Sequence, residues 1–357
     1  MATRAAFVGQ RTLTLELSAT FPNLRALLWD GDLLYGSRGY GLYCARMTAA
    51  QIEWRRVANY APEWWRDVTS RFALTSRLLR DGFHALAVLP RGDLVAAVPG
   101  AIVRLPAGET EFRVPHRLTR GTRPLHIAST PNGQLFWGEY FDNSERSEVH
   151  IYGSQDGGLS WQVAHTFGTR TVRHIHNIVY DKWADCLWIF TGDYGSECKI
   201  MRAPADFSFC EEVMSGSQQI RAVAAVIMPE GLYFASDTPL EQNYIYLLDR
   251  SGQLHRQSDI PSSSIYGCKN RSGIFFSTMV EPSAINRSKS VTLVGSEDRV
   301  AWQQLADWSK DRWSMRLFQY GNAFLPDGEN TTDFISVSTI AVQGADLQTS
   351  IYRTVIE

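Results

Sequence analysis

The sequence contains no run of ~18 apolar residues, so no helix in it is expected to span a bilayer. It has no basic excess either. Lys and Arg number 35 against 37 Asp and Glu, a formal net charge of −2, which argues against a nucleic-acid or anionic-membrane surface. Cysteine is scarce: Cys44, Cys186, Cys198, Cys210 and Cys268 are odd in number and form no C-x-x-C pair, so neither a disulfide framework nor a thiolate zinc site is expected. The opening segment Met1–Phe7 lacks an apolar core followed by a small-residue cleavage site, and with Met1 as the start cytoplasmic residence is expected. A Gly-rich phosphate loop, a G-x-S-x-G elbow and an H-E-x-x-H helix are all missing, so nucleotide cofactors and serine-hydrolase chemistry have no support. Long helical periodicity is nearly absent as well.

Short strand-like runs bounded by Gly, Pro, Asn and Asp take its place. Several share one plan: a strand, a tight turn, and a second strand that ends in polar residues. Leu86–Val95, Ile127–Trp137, Ile178–Trp188, Val226–Phe234 and Tyr266–Phe276 are copies, and Ala26–Tyr35 follows the same layout. First strands starting near 26, 84, 126, 174, 222, 264 and 315 set a period of 40 to 50 residues, with one longer first interval. That period with several strands per unit predicts an all-β fold, a β-propeller, because one four-stranded sheet cannot bury both faces alone whereas a ring of sheets can. Seven blades are expected, with six as the alternative, in a single domain over 1–357. The last unit shows only three strands, and Leu13–Leu17 is expected to supply the fourth and close the ring. The long first interval holds an insert at about 59–81, whose segment Trp65–Arg80 is the best short-helix candidate. The aromatic excess of 11 Trp, 14 Tyr and 17 Phe fits packed β layers, a sugar-stacking surface, or both.

Ser154-Gln155-Asp156-Gly157-Gly158-Leu159-Ser160-Trp161 matches S-x-D-x-G-x-x-W, and Ser296-Glu297-Asp298-Arg299-Val300-Ala301-Trp302 is a shortened copy. The motif resembles the Asp-box, or BNR repeat, of sialidase-like propellers. The segments around Glu139–Asn143 and His174–Asn177 resemble bacterial BNR-containing proteins of glycosyl-hydrolase type. The resemblance implies a propeller in which Asp156 and Asp298 lock outer hairpins away from the active face. The Phe/Tyr-Arg-Ile-Pro element whose arginine helps sialidases bind the substrate carboxylate is absent here.

Superposing the units places functional candidates at one mouth. First-strand starts carry His84, His126, His174 with His176, and Arg221, with Tyr266 in the matching place. Second-strand ends carry Glu139, Asp193, Asp237 and Glu281. Such a mouth suits acid–base cleavage of a glycosidic bond, in which one carboxyl is protonated and another ionised. Glu139 and Asp193 stand first for the acid, base or nucleophile, and Asp237 and Glu281 second. The mouth equally suits a divalent metal held by His126, His174 and His176 with Glu139 or Asp193 nearby, because His174 and His176 alternate by two and share a strand face. A metal would neutralise a uronate carboxylate and favour β-elimination, with His or Tyr as base. Arg173 and Arg221 can clamp a sugar carboxylate. Asn143, Arg146, Glu197, Gln218, Gln219, Glu241 and Asn243 are polar loop candidates, while Trp64, Trp65, Trp137 and Tyr140 can stack on pyranose faces. The expected partner is an oligo- or polysaccharide. Three readings stay open: a glycoside hydrolase of an acidic or complex bacterial glycan, a polysaccharide lyase using the histidines with or without metal, and a non-catalytic propeller that binds glycan or protein.

Overall fold

Second strands carry unbroken apolar runs, as in Leu94–Val98, Cys186–Phe190 and Leu232–Ala235. Successive side chains of a strand point to opposite faces, so such runs must be covered on both sides. In a computed structural model describing residues 12–48 and 51–357, a ring of sheets provides that cover. The opening Met1–Phe7 segment lies outside the described residues. Seven sheets form the ring, each with four antiparallel strands running from the centre outward. Leu94, Ala96 and Val98 pack toward the blade before, whereas Val95 and Ala97 pack toward the blade after. The core is thus divided into seven layers, one between each pair of neighbouring blades. Each large side chain buried in them contributes about 1.5–3 kcal/mol.

Inner strands begin at Arg25, Ala85, Ala128, His174, Ala222, Ser264 and Asn322 in blades 1 to 7. Six of the seven lie within two residues of the expected starts. The seventh is corrected: Met315–Phe318 is a short helix, and the inner strand follows it at Asn322–Phe324. The N-terminal strand Leu13–Pro22 pairs antiparallel with Gln348–Ile356 and closes blade 7 as its outer strand. An extra strand, Asp327–Asn330, runs parallel to Leu28–Gly31 inside blade 1.

The insert is two helices, α1 (Trp64–Ser70) and α2 (Ala73–Leu79), rather than one. Arg77 pins it to the ring. That side chain is only 2% exposed, and it donates to Phe318 O, to Asp311 Oδ2 at 2.8 Å and to Asp346 Oδ2 at 3.0 Å. All five cysteines are free. Among the described residues no helix is long and apolar enough to cross a membrane.

The S-x-D-x-G-x-x-W segment joins the two outer strands of blade 3, on the face opposite the inner-strand starts. Asp156 Oδ1 accepts from the Ser154 hydroxyl and from the amides of Leu159 and Ser160, while Ser154 Oγ accepts from Gly158 N. Gly157 and Gly158 take positive φ, which permits the turn. Asp298 repeats the lock in blade 6. Asp156→Ala should lower stability by about 1 kcal/mol, seen as a small fall in melting temperature, with ligand binding at the mouth unchanged.

Candidate functional site

All seven inner strands start on one face, and every second strand ends there. A cavity of about 710 Å³ opens at this face, lined by His84, His126, Tyr140, His176, Arg221, Asp237, Tyr266 and Glu281 among others. The backbone is irregular at this end. Inner strands of blades 1, 4, 5 and 6 carry β-bulges near their starts. The bulge in blade 4 falls between Ile175 and Asn177, so His176 is the extra residue and its ring is re-aimed. Gly192 makes room for it: a Cβ there would lie 2.7 Å from His176 Cε1.

His174 and His176 converge with Asp193. The two Nε2 atoms are 3.1 Å apart, and Asp193 Oδ1 lies 3.3 Å from the first and 3.1 Å from the second. Each histidine's Nδ1 faces a backbone carbonyl, Phe141 O for His174 and Ala222 O for His176. A carbonyl only accepts, so both Nδ1 atoms carry a proton, and in the neutral rings each Nε2 would aim a lone pair at the carboxylate. With both rings neutral, three acceptors meet with no donor among them, an arrangement that a cation at their centre would satisfy. Ligand atoms at bonds of about 2.0–2.2 Å from one ion lie roughly 3.0–3.5 Å apart, which these separations match. The backbone carbonyls behind the imidazoles are the usual orienting partners of metal-bound histidines. Burial holds the His176 pKa down, which disfavours a proton as that cation.

Asp193 is fixed from behind, its Oδ2 accepting from Arg173 Nη1 at 2.9 Å and its backbone carbonyl from Gln218 Nε2 at 2.8 Å. Desolvation opposes its charge, but positive charge in the histidine cluster, as protons on the rings or an ion between them, outweighs this and holds the carboxyl far below the ordinary range. Arg221 sits between Asp193 Oδ1 at 3.6 Å and Asp237 Oδ2 at 3.3 Å, and its Nε and Nη1 are buried without partners. Asp237 is buried, and desolvation above all, with Glu281 and Asp193 adding repulsion, pushes its pKa up to about 7. Glu281 accepts from Ser263 Oγ at 2.9 Å. Tyr140 lies with its ring 4.3 Å from that of His174, and burial raises its pKa.

Other sequence candidates are placed elsewhere. Glu139 is 2% exposed and turned from the cavity, because Arg120, in the loop before blade 3, forms a two-pronged pair with it and His150 N also donates to it. His126 lines the cavity but is not in the histidine cluster; its Nδ1 meets Asp327 Oδ2 at 2.9 Å, and Asp193 takes the third position. Asn143 ties its own loop through Ser147 and Arg173 O. Arg146 pairs with Glu197, and Gln218 bridges Asp193 O and Thr238. Glu241 is exposed and accepts from Gln219, and Asn243 is a buried loop tie. Trp137 is core, stacked on Tyr152 at 4.3 Å, while Trp64 is 80% exposed on the insert and Trp65 donates to Glu63.

Among the cavity residues that escape the sequence reading are Arg25, Arg80 and Arg123. Arg25 was findable, since it opens an inner strand in the same register as the histidines. Arg80 and Arg123 sit on irregular connections that no period marks.

No family model matches the chain, and no curated relative matches it. Solved structures do. An oligogalacturonate lyase in complex with manganese shares 8% identity over 97% of this chain and 98% of that chain, with a TM-score of 0.63. A chain of a mitotic checkpoint complex shares 10% over 99% of both, at 0.58. The WD40 β-propeller domain of Doa1 shares 10% over 96% and 97%, at 0.57. These likenesses show the propeller fold.

Two consequences are measurable. Glu139→Ala should cost about 1–3 kcal/mol of stability, since it strands Arg120, while leaving ligand affinity intact. Asp237 binds its proton more tightly folded than unfolded, so its contribution is greatest below the unfolded pKa of about 4 and is lost as pH rises through about 7. Denaturation at about pH 5 and about pH 8 should show the wild type losing more than about 1 kcal/mol relative to Asp237→Asn.

Proposed function

We propose that the protein is a lyase acting on uronate-containing oligo- or polysaccharides, with a divalent cation held by His174, His176 and Asp193. The single observation that supports this most is the convergence of two imidazole Nε2 atoms and a carboxylate oxygen, all within 3.3 Å of one another, with both Nδ1 atoms held by backbone carbonyls. Beside a uronate, the cation would draw charge from the sugar carboxylate and so acidify the adjacent C5–H. Arg221, with two free buried nitrogens, is placed to share that carboxylate.

The remaining work falls to the cavity's own side chains. Asp237, whose carboxyl exchanges its proton near neutrality, takes the C5 proton. The C–H electron pair becomes the C4=C5 double bond, and the C4–O bond breaks. Tyr140 stays protonated at working pH and gives its proton to the departing oxygen. The likeness in fold to an oligogalacturonate lyase in complex with manganese supports this reading.

A second reading, glycoside hydrolysis, is favoured by the placing of Asp237, a carboxyl with a raised pKa, beside a second carboxyl, Glu281, held by Ser263. The sialidase-like relationship suggested by the two Asp-turn motifs is compatible with either. Purified protein should carry about one divalent ion per chain, and His174→Ala and His176→Ala should lose it while keeping the fold. On oligouronates the wild type should generate unsaturated-uronate absorbance, cut by at least about 100-fold in either variant. New reducing ends without that absorbance would establish the hydrolase instead. A metal-free wild type indifferent to chelator would overturn the cation site.

A further inference from the structure

The cavity holds a second charged feature. Arg25 opens the inner strand of blade 1, Arg80 ends α2 with φ 53°, and Arg123 lies in the loop entering blade 3. The other cavity arginines are occupied: Arg71 pairs with Asp67, Arg56 donates to Asn59, Arg38 lies over Tyr43, and Arg221 sits between two carboxylates. Among the described residues, Arg25, Arg80 and Arg123 pair with no carboxylate. Arg123 makes one long contact, 3.3 Å to Thr122 Oγ1. Arg25 stacks its guanidinium 4.0 Å over the Phe324 ring and leaves its Nε buried without a partner. Its Nη1 lies 3.3 Å from His84 Nδ1, while His84 Nε2 meets Arg80 O at 2.7 Å. The carbonyl fixes the proton on Nε2, so Nδ1 accepts from Arg25, and a neutral His84 holds the guanidinium in place without offsetting its charge.

The three cations act on one another. Burial first, then Arg80 and Arg25, hold the Arg123 pKa down to about 10. Burial, then Arg123 and Arg25, push the His84 pKa well below its ordinary value. A buried arginine serving structure looks different in this same protein: Arg77 meets two carboxylates and a backbone carbonyl. Arg25 and Arg123 are half-buried and Arg80 is exposed, so three like charges meet at the rim of the cavity, where an anion would complete them.

We propose that Arg25, Arg80 and Arg123 form an anion subsite that takes the carboxylate of a second uronate unit, so that the ligand carries two acidic groups, one on blades 1–3 and one beside the histidine cluster. The anion site stands on the arginines alone; naming its occupant a uronate rests on the lyase reading. The subsite predicts selection for oligouronates over a single acidic sugar, in a cavity of about 710 Å³.

The test uses Arg25→Gln, Arg80→Gln and Arg123→Gln in the full chain, with trigalacturonate, its methyl ester, galacturonate and inorganic sulfate as probes. In calorimetric titration each variant should bind trigalacturonate roughly tenfold to a hundredfold more weakly. Affinity for galacturonate and metal content should stay unchanged. Methyl esterification should weaken wild-type binding but add less to the loss in the variants, as a double-mutant cycle requires. Without ligand, Arg123→Gln and Arg80→Gln should melt higher than wild type, because repulsion is relieved, and sulfate should raise the wild-type melting temperature more than theirs at matched ionic strength. A structural role would lower the melting temperature instead. Wild-type affinity in all three variants, or a wild type that binds neither sulfate nor trigalacturonate, would overturn the subsite. Elimination with unchanged KM in the variants would overturn it while leaving the lyase reading intact. Absence of metal and elimination, with sulfate and trigalacturonate responses still lost in the variants, would sink the lyase reading alone.

Discussion

Pairing of Leu13–Pro22 with Gln348–Ile356 is the constraint on which the rest depends. It joins the two ends of the chain in one sheet and turns a row of blades into a ring. Only in a closed ring does every second strand find cover on both faces, which its unbroken apolar sequence demands. Closure also fixes where chemistry can happen. Each inner strand must start at the same face, so residues separated by whole blades, such as His84, His176, Asp237 and Glu281, share one cavity. No local structure would bring them together.

The two faces of the ring are built to different rules. On the face away from the mouth, turn acids are saturated with donors. Asp181 accepts from Trp188 Nε1 and the amides of Trp183 and Ala184, and it pairs with Arg250 of the next blade. Asp156 and Asp298 follow the same pattern in their own turns. Apart from the pair with Arg250, these contacts are local and short in sequence. On the mouth face the charges are crowded, and several are incomplete. Among the described residues, the buried arginine nitrogens without partners belong to Arg25, Arg173 and Arg221, all on that side.

The architecture was legible in the sequence because it repeats. Buried two-sided strands give apolar runs at a fixed interval, and a period survives even where individual strands are short. The shared mouth was legible for the same reason, since His174, His176, Asp193, Asp237 and Glu281 hold equivalent places in successive units. What the period could not show is which neighbour each charge would meet. Glu139 occupies the same register as Asp193, yet Arg120 from an irregular loop turns it away from the cavity. His126 is claimed by Asp327, whose strand was not expected inside blade 1. The helix at Met315–Phe318 displaced the seventh inner strand because an apolar run that short fits either form. Arg80 and Arg123 come from the insert and a connecting loop, the segments a repeat does not constrain.

That division of labour bears on how such a site arises. A ring stabilised by seven separate apolar layers and by satisfied turns on one face tolerates unfavourable electrostatics on the other. Each blade contributes a single strand start and a single strand end to the mouth, so changing one residue there alters the cavity without disturbing the layer that holds its blade. The insert extends this freedom. Arg77 anchors it in blade 7 contacts, and three residues further along, where α2 ends in a left-handed turn, Arg80 is delivered over the cavity. A buried, paired arginine thus fixes the short helix whose end carries an exposed one to the rim of the cavity.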